Sequence, residues 1–262
     1  MGILQNENAI PSASGGGAFY SHQIEQSVRF EKDAGDKLAR TPSSSGNRRT
    51  FTISFWLKRT QITHSGGHMV IFGADDGGGS NFFHLRLGND DTFRIVSSGS
   101  FQWIFTPLFR DVSGWGHFLV AIDTTAGGQD NQVKFYFNGT QVTSTSMKNG
   151  PSSSFETQVN HTTAQEIGVL AYASTSAFAG YLAEFVLIDG TAYGPDSFGE
   201  FKGGNIWIPK DPSGLTFGTN GVHLKFENAS SLGNDSSGNN NDFSVTNMGA
   251  DHQVLDSPTF GS

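Results

Sequence analysis

Cysteine is absent from this chain of 262 residues, and charged residues are scarce. Without cysteine the chain has no disulfide framework and no thiol nucleophile. Cysteine usage therefore does not indicate whether the protein works in an oxidising or a reducing compartment. Charged residues make up 15% of the chain, whereas about a quarter is usual in globular proteins. The formal net charge is −8, so the composition argues against general binding to nucleic acid.

Long apolar stretches are also missing. No run approaches the roughly 18 consecutive apolar residues that a membrane-spanning helix requires. The N-terminus, MGILQNENAIPSASGGG, has no basic region followed by an apolar segment, so no secretory signal is expected there. The sequence therefore predicts no membrane insertion.

Phenylalanine and glycine are abundant, with 23 and 34 residues, and the apolar residues alternate. Every second side chain is apolar in residues 51–59, FTISFWLKR, which is the period of a strand with one buried face. The same alternation recurs in residues 117–123, HFLVAID, and 132–139, QVKFYFNG. Residues 180–190, GYLAEFVLIDG, are apolar on both faces, as in a strand covered on both sides. These four stretches predict the spine of one β-sandwich.

Clusters of Gly, Asp and Asn separate the short apolar segments. Their spacing of roughly ten residues is typical of an all-β sandwich or barrel. Asn138-Gly139 is a strong hairpin signal. Residues 195–201 are the best candidate for a helical turn, and helix should account for less than about a tenth of the chain. A late alternating segment, residues 222–227, should belong to the core. The simplest division is one sandwich domain over residues 23–262.

Residues 1–22 precede the first strand-like segment and form a polar arm with a Gly-rich stretch. Two interpretations remain open: a frayed terminus, or an arm that becomes ordered on a partner. The second predicts that apolar side chains of the arm anchor the protein to its neighbours. These side chains are Ile3, Leu4, Ile10, Phe19 and Tyr20.

Several segments resemble the concanavalin A-like, laminin-G-type jelly-roll family. SVRFEKDAGDKLAR is similar to that family's first core strand and hairpin, and FTISFWLKR to its tryptophan strand. GWGHFLVAIDTTAGGQDNQVKFYFNGTQV is similar to its long hairpin, and IGVLAYASTSAFAGYLAEFVLIDGTAYGPDSF to its closing strand and helical turn. The resemblance covers about residues 27–247 and implies an all-β jelly-roll sandwich of two antiparallel sheets.

The order of the segments departs from that family. VHLKFEN and NDSSGNNNDF resemble the family's opening strand and turn but stand near the C-terminal end, so the chain looks circularly permuted. The closing strand carries Ala183-Glu184 where the family usually has Asp-Glu. This difference weakens any transfer of a metal-binding function.

The whole chain also resembles virion proteins of tailed phages of marine and freshwater bacteria. The opening MGILQNENAIP…FYSHQIEQSVRF and the later VLIDGTAYGPDSFGEF…WIPKDPSG carry this likeness. It implies a fibre or adsorption component that recognises host surface glycan and binds other virion proteins through the arm. The alternative is a capsid or tail decoration protein that binds other virion proteins. Either role implies a homo-oligomer, for which a trimer is the leading expectation.

A catalytic carboxylate pair is not found. Glucanases with this sandwich fold use Glu-x-Asp-x-x-Glu on one strand, because one carboxylate acts as acid and another as nucleophile. No such triplet occurs, and Glu184 stands alone in its segment, so a non-enzymatic protein is expected. His64 and His68 are four residues apart, but the intervening SGG indicates a loop with solvated histidines rather than a zinc pair.

Two turns carry adjacent acidic residues that are candidates for calcium binding. Calcium takes about six to eight oxygen ligands, and sandwich proteins of this class often hold it at loop ends. The candidate ligands are Asp75, Asp76, Asp90 and Asp91. Asp is also common in ordinary turns, which is the competing interpretation.

A glycan groove needs aromatic faces and hydrogen-bonding groups on one surface. Side chains opposite the buried face of the predicted strands offer both, provided that those strands are neighbours. The candidate glycan-binding residues are Trp56, His84, Arg86, Lys134 and Tyr136. In the competing interpretation, Trp56 packs beneath a loop.

Overall fold

The computed structural model of the protein describes residues 19–32, 34–62, 67–99, 101–170 and 176–259. Four residues singled out from the sequence lie outside the described residues, namely Ile3, Leu4, Ile10 and His64.

The described residues form eighteen β-strands. In chain order they are β1 (Ser27–Phe30), β2 (Lys37–Arg40), β3 (Thr50–Arg59), β4 (His68–Asp75), β5 (Phe82–Gly88), β6 (Thr92–Ser97), β7 (Gln102–Leu108), β8 (Gly116–Asp123), β9 (Val133–Phe137), β10 (Thr140–Gln141), β11 (Thr145–Asn149), β12 (Ala164–Ile167), β13 (Gly180–Asp189), β14 (Gly199–Lys202), β15 (Ile206–Pro209), β16 (Val222–Leu224), β17 (Ser244–Thr246) and β18 (Gln253–Val254).

Two eight-stranded sheets make the sandwich. The first has the spatial order β10-β9-β8-β3-β13-β1-β18, with β16 also paired to β13. The second has the order β11-β7-β6-β5-β4-β12-β2-β17, and β14 and β15 form a separate hairpin. Neighbouring strands in both sheets are antiparallel. The predicted all-β sandwich of two antiparallel sheets is confirmed.

The core lies between the sheets and follows the alternation of the sequence. On β3, Phe51, Ile53 and Phe55 are fully buried between the sheets. On β5 of the second sheet, Phe83 and Leu85 belong to the same core, and the rings of Phe51 and Phe83 lie 5.5 Å apart, edge to face. Full burial of such a side chain contributes about 1.5–3 kcal/mol, so the many phenylalanines supply much of the drive to fold.

Helical structure is limited, within the described residues, to the α-helix α1 (Gln129–Gln132) and short 3-10 turns. The turn Pro195–Ser197 lies in the segment for which the sequence predicts a helical turn. No helix in the described ranges is long and apolar enough to cross a bilayer.

β13 organises the first sheet because it pairs with β3 on one edge and with two strands on the other. Residues 180–182 pair with β1, and residues 185–187 pair with β16. The late strand β16 therefore lies beyond β1 along the same edge of β13. It is shorter than the predicted segment 222–227, and its residues Val222 and Leu224 are 0% exposed, so it is part of the core.

Candidate functional site

The structure places the five predicted glycan-binding residues on two different sheets. Trp56 on β3 and Lys134 and Tyr136 on β9 face outward from the first sheet, whereas His84 and Arg86 on β5 face outward from the second. The premise of one shared face does not hold, because β5 pairs with β4 and β6 while β9 pairs with β8 and β10. The alternation gives the facing of each residue but not the sheet that its strand joins.

Trp56 is buried and offers no face for stacking on a sugar. It is 5% exposed and packs with Ile24, Ala183 and Trp207. Its ring lies 5.0 Å from the imidazole of His117. The competing interpretation placed Trp56 beneath a loop; in the structure it lies beneath Ile24, from the segment before β1, and Trp207 of β15.

On the outer face of the second sheet, His84 is buried close to Arg86 and His68. The side chain of His84 is 3% exposed, and burial, followed by the charges of Arg86 and His68, lowers its pKa to about 3. The imidazole is therefore neutral near pH 7. Arg86 lies directly opposite Arg94 on β6, and the charge of Arg94 is paired with Asp90 at 2.7 Å. A buried, neutral His84 contributes no direct ligand contact on this face.

A pocket of about 360 Å³ lies on the outer face of the first sheet, where β8 ends and β9 begins. Its polar lining consists of Asp123, Asn131, Lys134, Tyr136 and Tyr193, and it is named the tyrosine pocket below. Lys134 and Tyr136 are among the residues that the sequence predicts for glycan binding. The other three were missed. Asn131 lies just before β9 but outside its alternating pattern, whereas Asp123 at the end of β8 and Tyr193 after β13 come from more distant parts of the chain.

The alternation of β9 places two side chains in the tyrosine pocket. Val133 and Phe135 point into the core, so Lys134 and Tyr136 face outward. Burial, and then the negative charge of Asp196, raises the pKa of Tyr136. Its phenol therefore stays protonated near neutral pH and can both donate and accept a hydrogen bond.

A hydroxyl on β3 fixes the backbone of Tyr193, the second tyrosine of the pocket. The backbone N–H of Tyr193 donates to Oγ1 of Thr52 at 2.8 Å, and the Thr52 hydroxyl donates to the carbonyl of Thr191 at 2.8 Å. The rings of Tyr193 and Phe198 lie 6.5 Å apart, edge to face. These contacts hold the segment after β13 against the sheet and keep Tyr193 beside β9.

In the tyrosine pocket, Asp123 and Asn131 each have a side-chain oxygen that is free to accept a hydrogen bond. Oδ1 of Asp123 accepts from the N–H of Thr125 at 3.0 Å, and the Asn131 side chain donates to the carbonyl of Gly127 at 2.8 Å. Within the described residues, Asp123 Oδ2 and Asn131 Oδ1 remain available. With Lys134 and Asp123 as its one cation and one anion, the pocket is close to neutral.

The four candidate calcium ligands do not converge. Asp75 and Asp76 precede β5, and Asp90 and Asp91 follow it. Since β5 has seven residues, the two pairs lie about 20 Å apart. Because β5 holds the two pairs at opposite ends, they cannot bind the same ion.

These acids instead serve turns and ion pairs. Oδ1 of Asp75 accepts the N–H of Gly77 at 2.6 Å. Asp91 accepts from buried Arg59 at 2.9 Å and from Arg110 at 2.8 Å. Among the described residues, no group of three or more His, Cys, Asp or Glu side chains is arranged to hold a metal ion.

Glu184 contacts two histidines, and this cluster was not predicted from the sequence. Its Oε2 lies 3.1 Å from Nε2 of His22, and its Oε1 contacts Nε2 of His223. The two histidines are 162 and 39 residues away from it in the sequence. In the sequence, this site was marked only by Ala183-Glu184, which stands where the resembled family usually has Asp-Glu.

Phe19 and Tyr20, the predicted anchoring residues within the described ranges, lie beside β14. Phe19 is 44% exposed, and Nζ of Lys202 lies 5.2 Å from the centre of its ring. The Tyr20 ring stands edge-on to Phe19 at 5.0 Å. The last part of the predicted arm therefore contacts the β14–β15 hairpin.

A second cavity, of about 310 Å³, opens at the other end of β8 and β9. Phe109, Phe118 and Phe137 line it, and neighbouring rings in this trio have centres 5.0–5.1 Å apart. Its exposed cation, Arg110, is bound to Asp91. The apolar wall and the engaged guanidinium make this cavity less suited to a sugar than the tyrosine pocket.

Comparison with known proteins identifies the family. The sequence matches the Laminin_G_3 family, described as Concanavalin A-like lectin/glucanases superfamily, over residues 33–193. No curated protein matches the sequence. A candidate carbohydrate-binding protein of Bacteroides ovatus is similar in structure, with 14% identity, a TM-score of 0.57, and coverage of 90% of this chain and 62% of that one.

Two further solved structures are similar over smaller parts of the chain. A native heptameric SAP-like pentraxin from Limulus polyphemus has 15% identity and a TM-score of 0.46, covering 66% of this chain and 80% of its own. Domain 4 of an extracellular arabinanase from Geobacillus stearothermophilus has 20% identity and a TM-score of 0.42, covering 58% and 65%. At such identities the likeness concerns the fold alone.

The family match spans more than half of the chain and includes the strands from β2 to β13. Strands outside the match, β1, β16, β17 and β18, complete the same two sheets. The chain spans about three fifths of the Bacteroides ovatus protein, 62% of its length. By its sequence match and its two antiparallel sheets, the chain belongs to the Laminin_G_3 family of the concanavalin A-like lectin/glucanase superfamily.

Proposed function

We propose that this protein is a non-catalytic carbohydrate-recognition module whose tyrosine pocket receives one end of a glycan. The observation that carries the proposal is the joint presence of two tyrosines, Tyr136 and Tyr193, and three polar side chains in one pocket. Sugar recognition combines apolar contact to a ring face with a few well-placed polar groups. The near-neutral charge of the pocket favours an uncharged sugar.

The polar groups match the chemistry of sugar hydroxyls, which both donate and accept hydrogen bonds. The ammonium of Lys134 donates, the open oxygens of Asp123 and Asn131 accept, and the phenols of Tyr136 and Tyr193 do either. Their positions on a strand end and on an anchored loop make the pocket largely preformed. A preformed site loses less conformational entropy on binding.

Hydrolysis is not part of the proposal, because Asp123 is the single carboxylate among the described residues that line the tyrosine pocket. Most glycosidases need two carboxyl groups about 5–10 Å apart. Glu184 does not supply the second, since both of its oxygens contact histidines beside β16.

The proposed setting is a tailed-phage virion, in which the module is a fibre or adsorption component that recognises host surface glycan. This part rests on the likeness of the sequence to phage virion proteins. Residues 1–22 would attach the module to other virion proteins, and a homotrimer is the proposed assembly, since closed symmetry is the rule among oligomers.

A capsid or tail decoration protein is the second candidate. The observation that favours it is a pair of exposed apolar side chains on the β14–β15 hairpin, Phe201 at 49% and Ile206 at 51%. Together with Phe19, they would suit contact with another protein surface.

A glycan array probed with the labelled full-length chain tests the proposed recognition. Tyr136→Ala and Lys134→Met should each weaken binding about tenfold, or roughly 1.4 kcal/mol. The control is Tyr181→Ala, which removes a tyrosine of the first sheet paired with Lys58, about 20 Å from the pocket along β3.

Unchanged binding in both folded pocket variants would place the site elsewhere. Failure of the wild type to bind any glycan, combined with immunogold labelling around the capsid of purified phage, would favour the decoration role. Sedimentation equilibrium over a range of concentrations tests the trimer, and a constant monomer mass would contradict it for the free protein.

A further inference from the structure

Glu184 occupies a strained position in the middle of β13. A bulge falls between Ala183 and Val186, so that two residues of β13 oppose one residue of β3. Glu184 has φ +49°, in the left-handed region that a residue with a side chain seldom adopts. Bulges re-aim side chains, and this one brings the carboxylate into the gap between β1 and β16.

The carboxylate of Glu184 is held by one deeply buried histidine. His223 on β16 is 0% exposed, and its Nε2 contacts Oε1 of Glu184. Its Nδ1 is buried and faces no hydrogen-bond partner within the described part of the chain. The ring therefore donates through Nε2, and Glu184 keeps its second oxygen for another donor.

The second donor comes from the segment that leads into β1. His22 contacts Oε2 of Glu184 at 3.1 Å and is partly exposed. It belongs to residues 19–24, named the N-terminal strap. Other hydrogen bonds of the strap lie at the surface or at its end. Lys202 donates to the carbonyl of Phe19, and Ser21 donates to Glu200 at 3.0 Å. Buried Ile24 donates its N–H to Thr259 at 2.9 Å and accepts from the Thr259 hydroxyl at 2.9 Å.

We propose that His22 and Glu184 form a protonation-controlled clasp, which holds the N-terminal strap on the sandwich when His22 is charged and loosens it when the proton leaves. The clasp differs from the other strap contacts because one partner is a buried carboxylate whose charge is not screened by bulk water. Loss of the imidazolium charge therefore weakens this contact more than it would at the surface.

The charged surroundings support the direction of the switch. The hydrogen bond to Glu184 raises the pKa of His22, burial opposes this, and the charges of Glu184 and Asp211 raise it further while Lys225 lowers it. Burial would raise the pKa of Glu184, but the hydrogen bonds from His22 and His223 outweigh it and bring the value to about 2. Two further carboxylates, Glu25 and Glu227, line the adjacent cavity of about 240 Å³.

The sign of the pH effect follows from these shifts. Because the pKa of His22 is raised above its ordinary 6.5, the clasp is complete below about pH 6.5 and is lost as the pH rises through the raised value. Glu184 stays ionised throughout this range. The strap links the sandwich to residues 1–18, so the clasp would also make attachment through that segment sensitive to pH.

Chymotrypsin cleavage after Phe19 and Tyr20 tests the clasp on the full chain. The rate of cleavage is measured by mass spectrometry from pH 6 to pH 8.5. It is divided by the cleavage rate of a free peptide of residues 15–26 in the same tube, which gives the cleavage ratio. The wild-type ratio should rise several-fold with pH. His22→Gln keeps a side-chain donor but cannot titrate, so its ratio should not change with pH.

His161→Gln is the matched control, because His161 lies in a different loop, and it should behave as the wild type. A wild-type ratio that does not change with pH, or an equal rise in His22→Gln, would overturn the proposal. A second measurement is independent of the protease: NMR titration of the imidazoles should show His22 titrating above 6.5, its ordinary value. A midpoint at or below that value would also overturn it.

Discussion

Trp207 donates its indole N–H to Nδ1 of His117 at 3.1 Å, and both rings are buried. On the other side of the imidazole, Nε2 lies 2.8 Å from Oγ of Ser54 on β3. Because Nδ1 accepts a hydrogen bond, Nε2 carries the proton and donates it to Ser54. The β14–β15 hairpin is thereby bonded to the outer face of the first sheet through a neutral imidazole.

Replacement of Trp207 should show how much this hydrogen bond contributes to the free energy of unfolding. Trp207→Phe leaves Nδ1 of His117 buried without a donor, so the free energy of unfolding should fall by about 1–3 kcal/mol beyond the loss of apolar area. Trp103→Phe is the control, since the buried N–H of Trp103 has no acceptor in the described structure. Urea denaturation followed by circular dichroism measures both, and equal losses would contradict the prediction.

The stability of the protein should fall as the pH is lowered from about 6.5 toward 4.5. Burial lowers the pKa values of His117 and His84 to about 3, so each is neutral in the folded protein but takes up a proton on unfolding below 6.5, the ordinary value. Unfolding in this window should therefore bind about two protons. Urea denaturation at several pH values gives the slope, and a flat or inverted profile would show that the two imidazoles are charged in the folded state.

Two neighbouring aspartates should differ sharply in their contribution to stability. Asp91 pairs with Arg59, whose side chain is 1% exposed, so Asp91→Asn leaves a buried charge without its partner and should cost about 3–5 kcal/mol. Asp90 is 49% exposed and pairs with Arg94, so Asp90→Asn should cost less than about 1 kcal/mol. Chemical denaturation of both variants provides the comparison, and similar losses would argue against a structural role for the buried pair.

The C-terminal strand β16 should be indispensable to the core. Leu224 is 0% exposed and pairs with Phe185 of β13, so Leu224→Ala should lower the free energy of unfolding by about 2–5 kcal/mol. Val245 on edge strand β17 is 36% exposed, and Val245→Ala should change it by less than about 0.5 kcal/mol. The midpoints of urea unfolding test the difference; a Leu224→Ala protein as stable as the wild type would mean that β16 is peripheral.

The sequence determined the class of the fold and the facing of individual side chains. The alternation in residues 51–59 places Phe51 and Phe55 in the core, because a strand presents successive side chains to opposite faces. The same local rule places Lys134 and Tyr136 together on the outer face of β9. A period of two residues is a property of the extended backbone, so it can be read without knowledge of the neighbouring strands.

The tertiary structure decided which strands meet. His84 shows the same outward facing as Tyr136, yet its strand lies in the other sheet, because sheet membership depends on pairing between distant segments. The backbone of Tyr193 is held beside the tyrosine pocket by a hydrogen bond to Thr52, 141 residues away in the sequence.

The contact between His22 and Glu184 likewise depends on pairing between distant segments. His22 and Glu184 are 162 residues apart, and the sequence around either residue does not indicate that the two are in contact. Their contact exists because β1 and β16 share one edge of β13 and the bulge at residue 184 brings the carboxylate between them. A sequence records the period of each strand, whereas long-range pairing and burial fix the distances between side chains on different strands, and chemistry at a site depends on those distances.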